Sequence, residues 1–209
     1  METEDLVGYD IVRNNDGANV DENGELERKI RIVIDKIKDA KRPVIYAGNG
    51  VRISGAQDEL IKLASAVEIP VVTCWDSIDL MKTESDYYVG RAGIMGDRPG
   101  NFAVQNSDLV IAIGNRLNIY QVGYQLESWA REAYIVDVDI DELELQKKTI
   151  RVDLPICTDA TNFISKLLKV IADEKVEYST PKEWLEICKN WKLQYSVVTK
   201  KHYENSKPL

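Results

Sequence analysis

The sequence predicts a doubly wound α/β domain built on a mostly parallel, six-stranded sheet, with an added helix near the C-terminal end. Short and nearly continuous apolar runs alternate along the chain with stretches whose apolar residues recur at helical spacing. Such strands are buried on both faces, which requires helices above and below a parallel sheet. With 209 residues, of which 44% are hydrophobic and 30% charged, the chain can bury one sizeable core.

The first half of the chain contains two repeats of this helix and strand pattern. Apolar side chains at helical spacing predict a helix over residues 26–37, and a buried strand follows at residues 44–47. A second helix begins near Ser54, carries the apolar positions of residues 60–67, and leads to a strand at residues 69–74.

The second half continues the alternation. Apolar runs predict strands at residues 87–89, 109–113 and 134–140, and the stretches between them are compatible with helices. A helix over residues 163–171 closes the layer.

The two ends of the chain differ from its middle. Polar, turn-forming residues predict an interdomain linker at residues 1–25, before a domain over residues 26–173. Residues 174–209 are predicted to hold one more helix and a further linker, and Thr180 and Glu183 have the spacing of a capping box at the start of that helix. Its apolar stripe packs on this domain in the interpretation that we favour, and faces a partner or a missing domain in the alternative. The stripe consists of Trp184, Cys188, Trp191, Tyr195 and Val198.

Composition excludes several classes of function. The net charge of −8 disfavours binding to nucleic acid or to an anionic membrane. The three cysteines lack the spacing of zinc or redox motifs, which favours a reducing cytoplasm, and no signal peptide or membrane span is recognisable. With His202 as the lone histidine, the sequence cannot supply a histidine-rich metal site or a triad with an embedded histidine base.

The glycine motif at residues 48–50 is the strongest local signal for a binding site. Gly48, Asn49 and Gly50 follow a predicted strand, where glycines let the backbone turn and approach a phosphate group. The third glycine of a full dinucleotide fingerprint is replaced by Ile53. A structural tight turn and a nucleotide cradle are therefore equally supported by this motif.

Three further features follow later strands. Residues 90–101 hold four glycines and suit a loop close to a planar or phosphorylated ligand, although an ordinary long loop has the same composition. Arg116 could bind a phosphate or form a surface ion pair. Asp137, Asp139 and Asp141 suggest either a divalent-cation site or one ribose-binding carboxylate with solvated neighbours. We favour the second interpretation, on the expectation that successive acids in this alternation lie on opposite faces of the strand.

Four segments, residues 42–52, 68–80, 90–117 and 134–145, together resemble the central domain of thiamine-diphosphate enzymes of the acetolactate synthase family. Their order and spacing agree with the family, and the resemblance covers about residues 26–172. It implies a Rossmann-like fold of the DHS-like NAD/FAD-binding type.

The resemblance implies that the parent enzyme decarboxylates a 2-keto acid and ligates the two-carbon unit to an acceptor carbonyl, with thiamine diphosphate and Mg²⁺ as cofactors. In the family the activating glutamate lies in a pyrimidine-binding domain and the metal motif lies in a diphosphate-binding domain. Neither motif has a counterpart in this sequence. The chain is therefore expected to be a central, non-catalytic domain whose partners are those two domains of the same polypeptide, within a cytoplasmic homo-oligomer.

Family members hold FAD, an adenine nucleotide such as ADP, or nothing in the pocket of this domain. The family's FAD binders usually have a third glycine, a histidine and an Asp-Asp-Arg run at three places. At these places this chain has Asn49, Met95 and the uncharged residues 118–120. We therefore expect an empty or weakly nucleotide-binding pocket rather than a flavoprotein. Carried over position by position, the contact residues are Gly48, Asn49, Gly50, Cys74, Trp75, Gly93, Met95, Gly114, Arg116, Asp139, Ile140 and Asp159.

Two alternatives share this topology. An FAD-binding module of the electron-transfer flavoprotein type is disfavoured, because the arginine and glycine flavin signature is missing and linkers are predicted at both ends. A sirtuin-like deacylase is disfavoured more strongly, because the sequence lacks its catalytic histidine and four zinc cysteines.

Overall fold

The protein was analysed as a computed structural model that describes residues 22–173, 180–199 and 202. Its sheet has the strand order β3-β2-β1-β4-β5-β6, and every neighbouring pair is parallel. This architecture confirms the predicted doubly wound α/β fold. The strands are β1 (Pro43–Ala47), β2 (Val71–Thr73), β3 (Tyr88–Arg91), β4 (Leu109–Ile113), β5 (Tyr134–Asp139) and β6 (Leu154–Cys157).

The helices cover both faces of this sheet. Helices α1, α3 and α7 pack on one face, while α4 and α8 pack on the other. The helices are α1 (Glu22–Asp39), α2 (Asn49–Ile53), α3 (Gln57–Val67), α4 (Arg98–Asn106), α5 (Ile119–Val122), α6 (Glu142–Leu145), α7 (Ala160–Asp173) and α8 (Lys182–Gln194).

Two hydrophobic cores form because successive residues of a strand point to opposite faces. In β1, Ile45 lies in the core beneath α1 and α7, together with Ile30 and Phe163. Its neighbour Tyr46 lies in the opposite core with Trp184. All five residues of β1 are buried, so β1 has the continuous burial expected of a central parallel strand.

Several predicted boundaries differ from the structure. Helix α1 begins at Glu22, four residues before the predicted start of the domain, and the rest of the predicted linker lies outside the described residues. The predicted helix start near Ser54 is wrong. Helix α2 begins at Asn49 and ends before Ser54, and α3 begins only at Gln57. Gly55 lies between them at a φ of 76°, a left-handed conformation that breaks the helix.

Helix α8 packs on its own domain, as the favoured interpretation predicted. Trp184 and Cys188 are buried, and the indole Nε1 of Trp184 donates a hydrogen bond of 3.0 Å to the carbonyl oxygen of Pro43. Trp191 packs edge to face against Trp184, with ring centroids 5.7 Å apart. Val198, the last position of the predicted stripe, lies beyond the helix and is exposed.

The predicted capping box at the start of α8 does not form. Pro181 is the residue that precedes the helix, and no side chain caps it. The hydroxyl of Thr180 instead donates to the carbonyl oxygen of Val67, at 3.5 Å, which ties the start of α8 to the end of α3.

Within the described residues, no helix has both the length and the apolar character needed to cross a membrane.

Candidate functional site

A crevice suited to ligand binding lies at the carboxyl ends of β1 and β4, where the chain leaves the two strands toward opposite faces of the sheet. Connections from β1 lead to one side of the sheet and those from β4 to the other, and such a switch point is the usual binding position in open α/β sheets. A cavity of about 440 Å³ occupies this position. Seven of the predicted contact residues line it: Asn49, Gly50, Gly114, Arg116, Asp139, Ile140 and Asp159.

The other five predicted contact residues lie elsewhere. Cys74 is fully buried and its Sγ accepts a hydrogen bond from Nε2 of Gln121, while burial raises the pKa of the thiol to about 12. Trp75 and Met95 are 51% and 63% exposed and do not line the cavity. Gly48 and Gly93 also lie outside it and contact other loops, so the structure does not bring these predicted contacts to the cavity. These five positions are Gly48, Cys74, Trp75, Gly93 and Met95.

The glycines after β1 and β4 are required by the contact between two loops. The N–H of Gly50 donates to the carbonyl oxygen of Gly114 at 2.8 Å, and a Cβ on Gly50 would lie 2.7 Å from the Cα of Gly114. A Cβ on Gly48 would lie 2.2 Å from the Cα of Asn115. The contact between the two loops therefore accounts for the glycines at residues 48–50 as a structural tight turn, without the need for a nucleotide ligand.

Two of the carboxylates at this edge of the sheet cap helices. Oδ1 of Asp141 accepts from the N–H of Leu143 at 2.9 Å, and Oδ1 of Asp159 accepts from the N–H of Thr161 at 2.8 Å. Side-chain oxygens at these positions satisfy N–H groups that have no partner within the helix. Asp159 and Asp141 therefore hold α7 and α6 in place, in addition to lining the cavity.

Arg116 is the single cationic residue among the described residues that line the cavity, and it is paired with an acid. Its guanidinium contacts the carboxylate of Glu144, which also contacts Lys147. The Nζ of Lys147 in turn donates to the carbonyl oxygen of Arg116 at 2.8 Å. Hydrogen bonding to Arg116 lowers the pKa of Glu144, so this carboxylate is charged and neutralises the cation.

The expectation for the acidic cluster is wrong about its geometry. Asp137 and Asp139 are two residues apart in β5, so their side chains share one face of the sheet, and they are only 3% and 7% exposed. Oδ1 of Asp139 accepts from the N–H of Asp141 at 2.9 Å, whereas Oδ1 of Asp137 has no hydrogen-bond partner among the described residues. Burial, with a contribution from Asp139, raises the pKa of Asp137 from 3.8 to about 7. Asp137 and Asp139 are therefore buried rather than solvated neighbours.

A buried polar group beneath the cavity was not predicted. The hydroxyl of Tyr46 is fully buried without a hydrogen-bond partner in the described structure, and so is Oδ1 of Asp76, a cavity residue. Burial, then the nearby Cys74 and Asp76, raise the pKa of Tyr46 well above its ordinary value. Gln121 completes this region by accepting from the N–H of Asn118 at 3.0 Å. The spacing of residues in the sequence does not indicate this cluster, because its side chains come from β1, from the loop after β2 and from α5, which are distant in sequence.

The residues of the cavity do not fit the diphosphate of a dinucleotide. Four carboxylates line it, and the one cation is already neutralised by Glu144. A negatively charged ligand would face uncompensated repulsion at short range. The described part of the chain also contains no group of three or more His, Cys, Asp or Glu side chains able to hold a metal ion. The four cavity carboxylates are Asp76, Asp139, Asp141 and Asp159.

The fold and this crevice define a Rossmann-like domain whose switch point is built mainly from helix caps and loop contacts. A model of the family described as "Thiamine pyrophosphate enzyme, central domain" matches residues 30–167. The chain belongs to this family.

Relatives extend the same conclusion. The chain is similar to a probable acetolactate synthase large subunit of Methanocaldococcus jannaschii, with 38% identity over 150 residues that make up 72% of this chain and 25% of that protein. It is also similar to the acetolactate synthase large subunit of Corynebacterium glutamicum, with 33% identity over 168 residues, or 80% of this chain and 26% of that protein. The chain thus spans about a quarter of the length of these relatives.

Proposed function

We propose that this chain is the central, non-catalytic domain of a thiamine-diphosphate-dependent enzyme related to acetolactate synthase. The observation that carries the proposal is the family match over residues 30–167, which lies in a segment corresponding to about a quarter of each relative. The boundaries proposed for the domain are residues 26–173, extended to Glu22 by the start of α1, with a linker before it and a helix and linker at residues 174–209.

The activity proposed for the whole polypeptide is decarboxylation of a 2-keto acid followed by ligation of the two-carbon unit to an acceptor carbonyl. Thiamine diphosphate supplies the electron sink for this chemistry and Mg²⁺ anchors it. Both are proposed to bind in pyrimidine-binding and diphosphate-binding domains of the same polypeptide, within a cytoplasmic homo-oligomer. This chain positions those domains relative to one another.

For the crevice we propose an empty pocket or at most weak binding of an adenine nucleotide such as ADP, and no stoichiometric FAD. The guanidinium of Arg116 is the group that favours an anionic ligand, since the N–H groups of Gly50 and Gly114 already donate to the carbonyl oxygens of Gly114 and Val138. The four carboxylates oppose it, and five of the predicted contact residues lie apart from the cavity. An electron-transfer flavoprotein module is therefore not favoured.

The test compares the 209-residue chain with the complete polypeptide. Calorimetric titration with thiamine diphosphate and Mg²⁺ should show no binding to the chain alone, which should release no carbon dioxide from pyruvate and show no flavin absorbance after purification. The complete polypeptide should bind the cofactor and consume the 2-keto acid. Micromolar cofactor affinity of the chain alone, or a yellow protein with stoichiometric flavin, would contradict the proposal.

A further inference from the structure

Backbone donors at the switch-point cavity are already used within the protein. The N–H of Gly50 donates to the carbonyl oxygen of Gly114 at 2.8 Å, and the N–H of Gly114 donates to that of Val138 at 2.8 Å. The N–H of Thr161, in the first turn of α7, donates to Asp159 at 2.8 Å. Groups in such positions bind phosphate in nucleotide-binding folds, but these three are not available to an anion.

Side-chain donors of the cavity are also engaged. Ser54, Asn115 and Gln121 line it, and each donates a hydrogen bond to another group of the protein. The guanidinium of Arg116 contacts the carboxylate of Glu144. A ligand that needs donors from the protein is therefore poorly served by this cavity.

Carboxylate oxygens of the cavity, in contrast, remain available as acceptors. Asp139, Asp141 and Asp159 each accept backbone N–H groups through Oδ1. The Oδ2 atom of each accepts no hydrogen bond from the described residues. These three carboxylates line the cavity, so the second oxygen of each is left for a donor on a ligand.

Asp76 is the cavity carboxylate that most clearly lacks a partner. It lines the cavity, its Oδ1 is fully buried, and it forms no hydrogen bond or ion pair with any described residue. The hydroxyl of Tyr46 is also fully buried without a partner in the described structure, and it lies beside Cys74 and Asp76 at the same end of the cavity. A buried polar atom without a partner costs free energy, and a ligand that supplies a donor removes this cost.

The carboxylates are spread along the cavity rather than gathered at one point. Asp76 follows β2, Asp141 follows β5 and Asp159 follows β6. Strands β2 and β6 lie four places apart in the sheet, which corresponds to roughly 19 Å at the usual strand spacing. Apolar side chains, among them Ile53 and Val138, line the same cavity. Its volume of about 440 Å³ therefore suits a ligand with separated donors on an apolar chain.

We propose that the switch-point cavity binds an organic cation with two or more ammonium groups on a linear aliphatic chain. Ammonium N–H groups form charge-assisted hydrogen bonds with carboxylates, which are stronger than bonds between neutral groups. One ammonium group meets Asp76, a second meets Asp141 or Asp159, and the chain packs against Ile53 and Val138. The inference goes beyond the proposed function and does not depend on it, because it uses only residues of this chain.

A metal ion is a less suitable occupant of the cavity. Hard metal ions require several oxygen ligands that converge to within about 2.6 Å. The described residues contain no group of three or more His, Cys, Asp or Glu side chains able to hold one. An ammonium group needs only one acceptor for each N–H, so it tolerates carboxylates that lie apart.

Calorimetric titration of the 209-residue chain at low salt tests the proposal. Cadaverine, a linear diamine, should bind saturably with a stoichiometry of one. L-lysine is the same chain with an added carboxylate, and it should bind at least about tenfold more weakly, because that group faces the carboxylates of the cavity. Added salt should weaken the binding of cadaverine.

A matched pair of substitutions locates the site. Asp76→Asn should weaken the binding of cadaverine about five- to tenfold, since it removes a charge that has no other partner in the described structure. Asp86→Asn removes the same charge from an exposed residue outside the cavity, paired with Lys189, and should leave the affinity unchanged. Arg116→Ala should strengthen the binding several-fold, because it removes a like charge from the cavity and releases Glu144 from this pair.

The absence of saturable cadaverine binding would overturn the proposal. Equal affinities for cadaverine and L-lysine, or equal losses in Asp76→Asn and Asp86→Asn, would also overturn it, because they would indicate non-specific attraction to an acidic chain. Thermal denaturation checks that each variant is folded. If Asp76→Asn is not, unchanged or weaker binding in Arg116→Ala, at an exposed side chain, refutes the proposal.

Failure of the proposed function has a different signature. A complete polypeptide that neither binds thiamine diphosphate nor consumes a 2-keto acid would refute the function, whatever the affinity of this chain for cadaverine. A chain without affinity for cadaverine would refute the cation site alone.

Discussion

The guanidinium of Arg116 and the carboxylate of Glu144 form an ion pair at the mouth of the switch-point cavity. Arg116 belongs to the loop after β4 and has a φ of 61°, while Glu144 belongs to α6 after β5. The pair therefore joins the ends of two neighbouring strands. It also neutralises Arg116, the one cationic side chain among the described residues that line the cavity.

Removing the acid from this pair should strengthen anion binding. In Glu144→Gln the guanidinium of Arg116 is released, and we expect ADP to bind roughly three- to tenfold more tightly. A charge-assisted hydrogen bond contributes about 1.5 kcal/mol or more, and solvent screening at this partly exposed site reduces that contribution. In Arg116→Ala the weak binding of ADP should disappear. Calorimetry at low salt measures both, with Arg131→Ala as the control at an exposed arginine outside the cavity. Unchanged affinity in both Glu144→Gln and Arg116→Ala would show that the pair does not govern the site.

Asp137 should make the free energy of unfolding depend on pH. Its pKa is raised from 3.8 to about 7, so the folded protein holds this proton more tightly than the unfolded chain. Its contribution to stability is therefore greatest below about pH 4, falls as pH rises to about 7, and is constant above. Asp137→Asn should remove this fall, which is on the order of a few kcal/mol.

Urea denaturation between pH 4 and pH 8 measures the effect of Asp137. The stability of Asp137→Asn relative to the unsubstituted protein should increase across that range. Asp35→Asn, at an exposed position of α1, should show no such increase. A constant difference between Asp137→Asn and the unsubstituted protein would mean that Asp137 is ionised in the folded state.

The close contact of the two loops makes Gly48 intolerant of a side chain. Its φ of −106° is accessible to any residue, so the cost of Gly48→Ala comes from the Cβ, which would lie 2.2 Å from the Cα of Asn115. We expect a loss of more than about 3 kcal/mol in the free energy of unfolding. Gly55→Ala meets no atom within 4 Å and should lose only about 1–2 kcal/mol from its left-handed φ. If thermal or chemical denaturation ranked the two substitutions in the reverse order, the steric argument would fail.

Trp184 is expected to stabilise the domain through packing and through its hydrogen bond to Pro43. Trp184→Ala should lower the free energy of unfolding by about 3–5 kcal/mol, since it removes both the packing and the hydrogen bond. Trp184→Phe should lower it by less, because the ring still packs and only the hydrogen bond to the carbonyl oxygen of Pro43 is lost. Leu193→Ala, at a residue of the same helix that is 78% exposed, should change stability by less than about 0.5 kcal/mol. Denaturation curves for the three variants provide the comparison. A tolerated Trp184→Ala would indicate that α8 serves a partner rather than this domain.

The strands that are buried on both faces could be predicted from sequence, because five or six consecutive apolar residues leave little choice of structure. Strands β1 and β4 are of this kind. Strand β6 was not located, although six strands were expected, since only Leu154 and Ile156 of its four residues are buried. The sequence predicts a helix start near Ser54, but Ser54 is the residue at which α2 ends.

The candidate site was predictable to the extent that it follows strand ends. Gly50, Gly114 and Asp139 line the cavity because parallel strands deliver them to one edge. Cys74 and Gly93 could not be placed from sequence, since their positions depend on contacts with α5, in which Gln121 bonds to Cys74 and the backbone of Tyr120 lies against Gly93. Such contacts between loops distant in sequence leave no periodic signal.

The two outermost strands determine how this protein can associate with others. Strand β6 has four residues and includes Pro155, which has no N–H to offer a further strand. Along β3, Nζ of Lys192 donates to the carbonyl oxygen of Ser85 at 3.0 Å and lies over the ring of Tyr88, so α8 shields that border. Both margins of the sheet therefore resist pairing with a strand from another molecule. This favours contacts through helices and loops over strand pairing, and we expect loss of α8 to open a margin along which chains could aggregate.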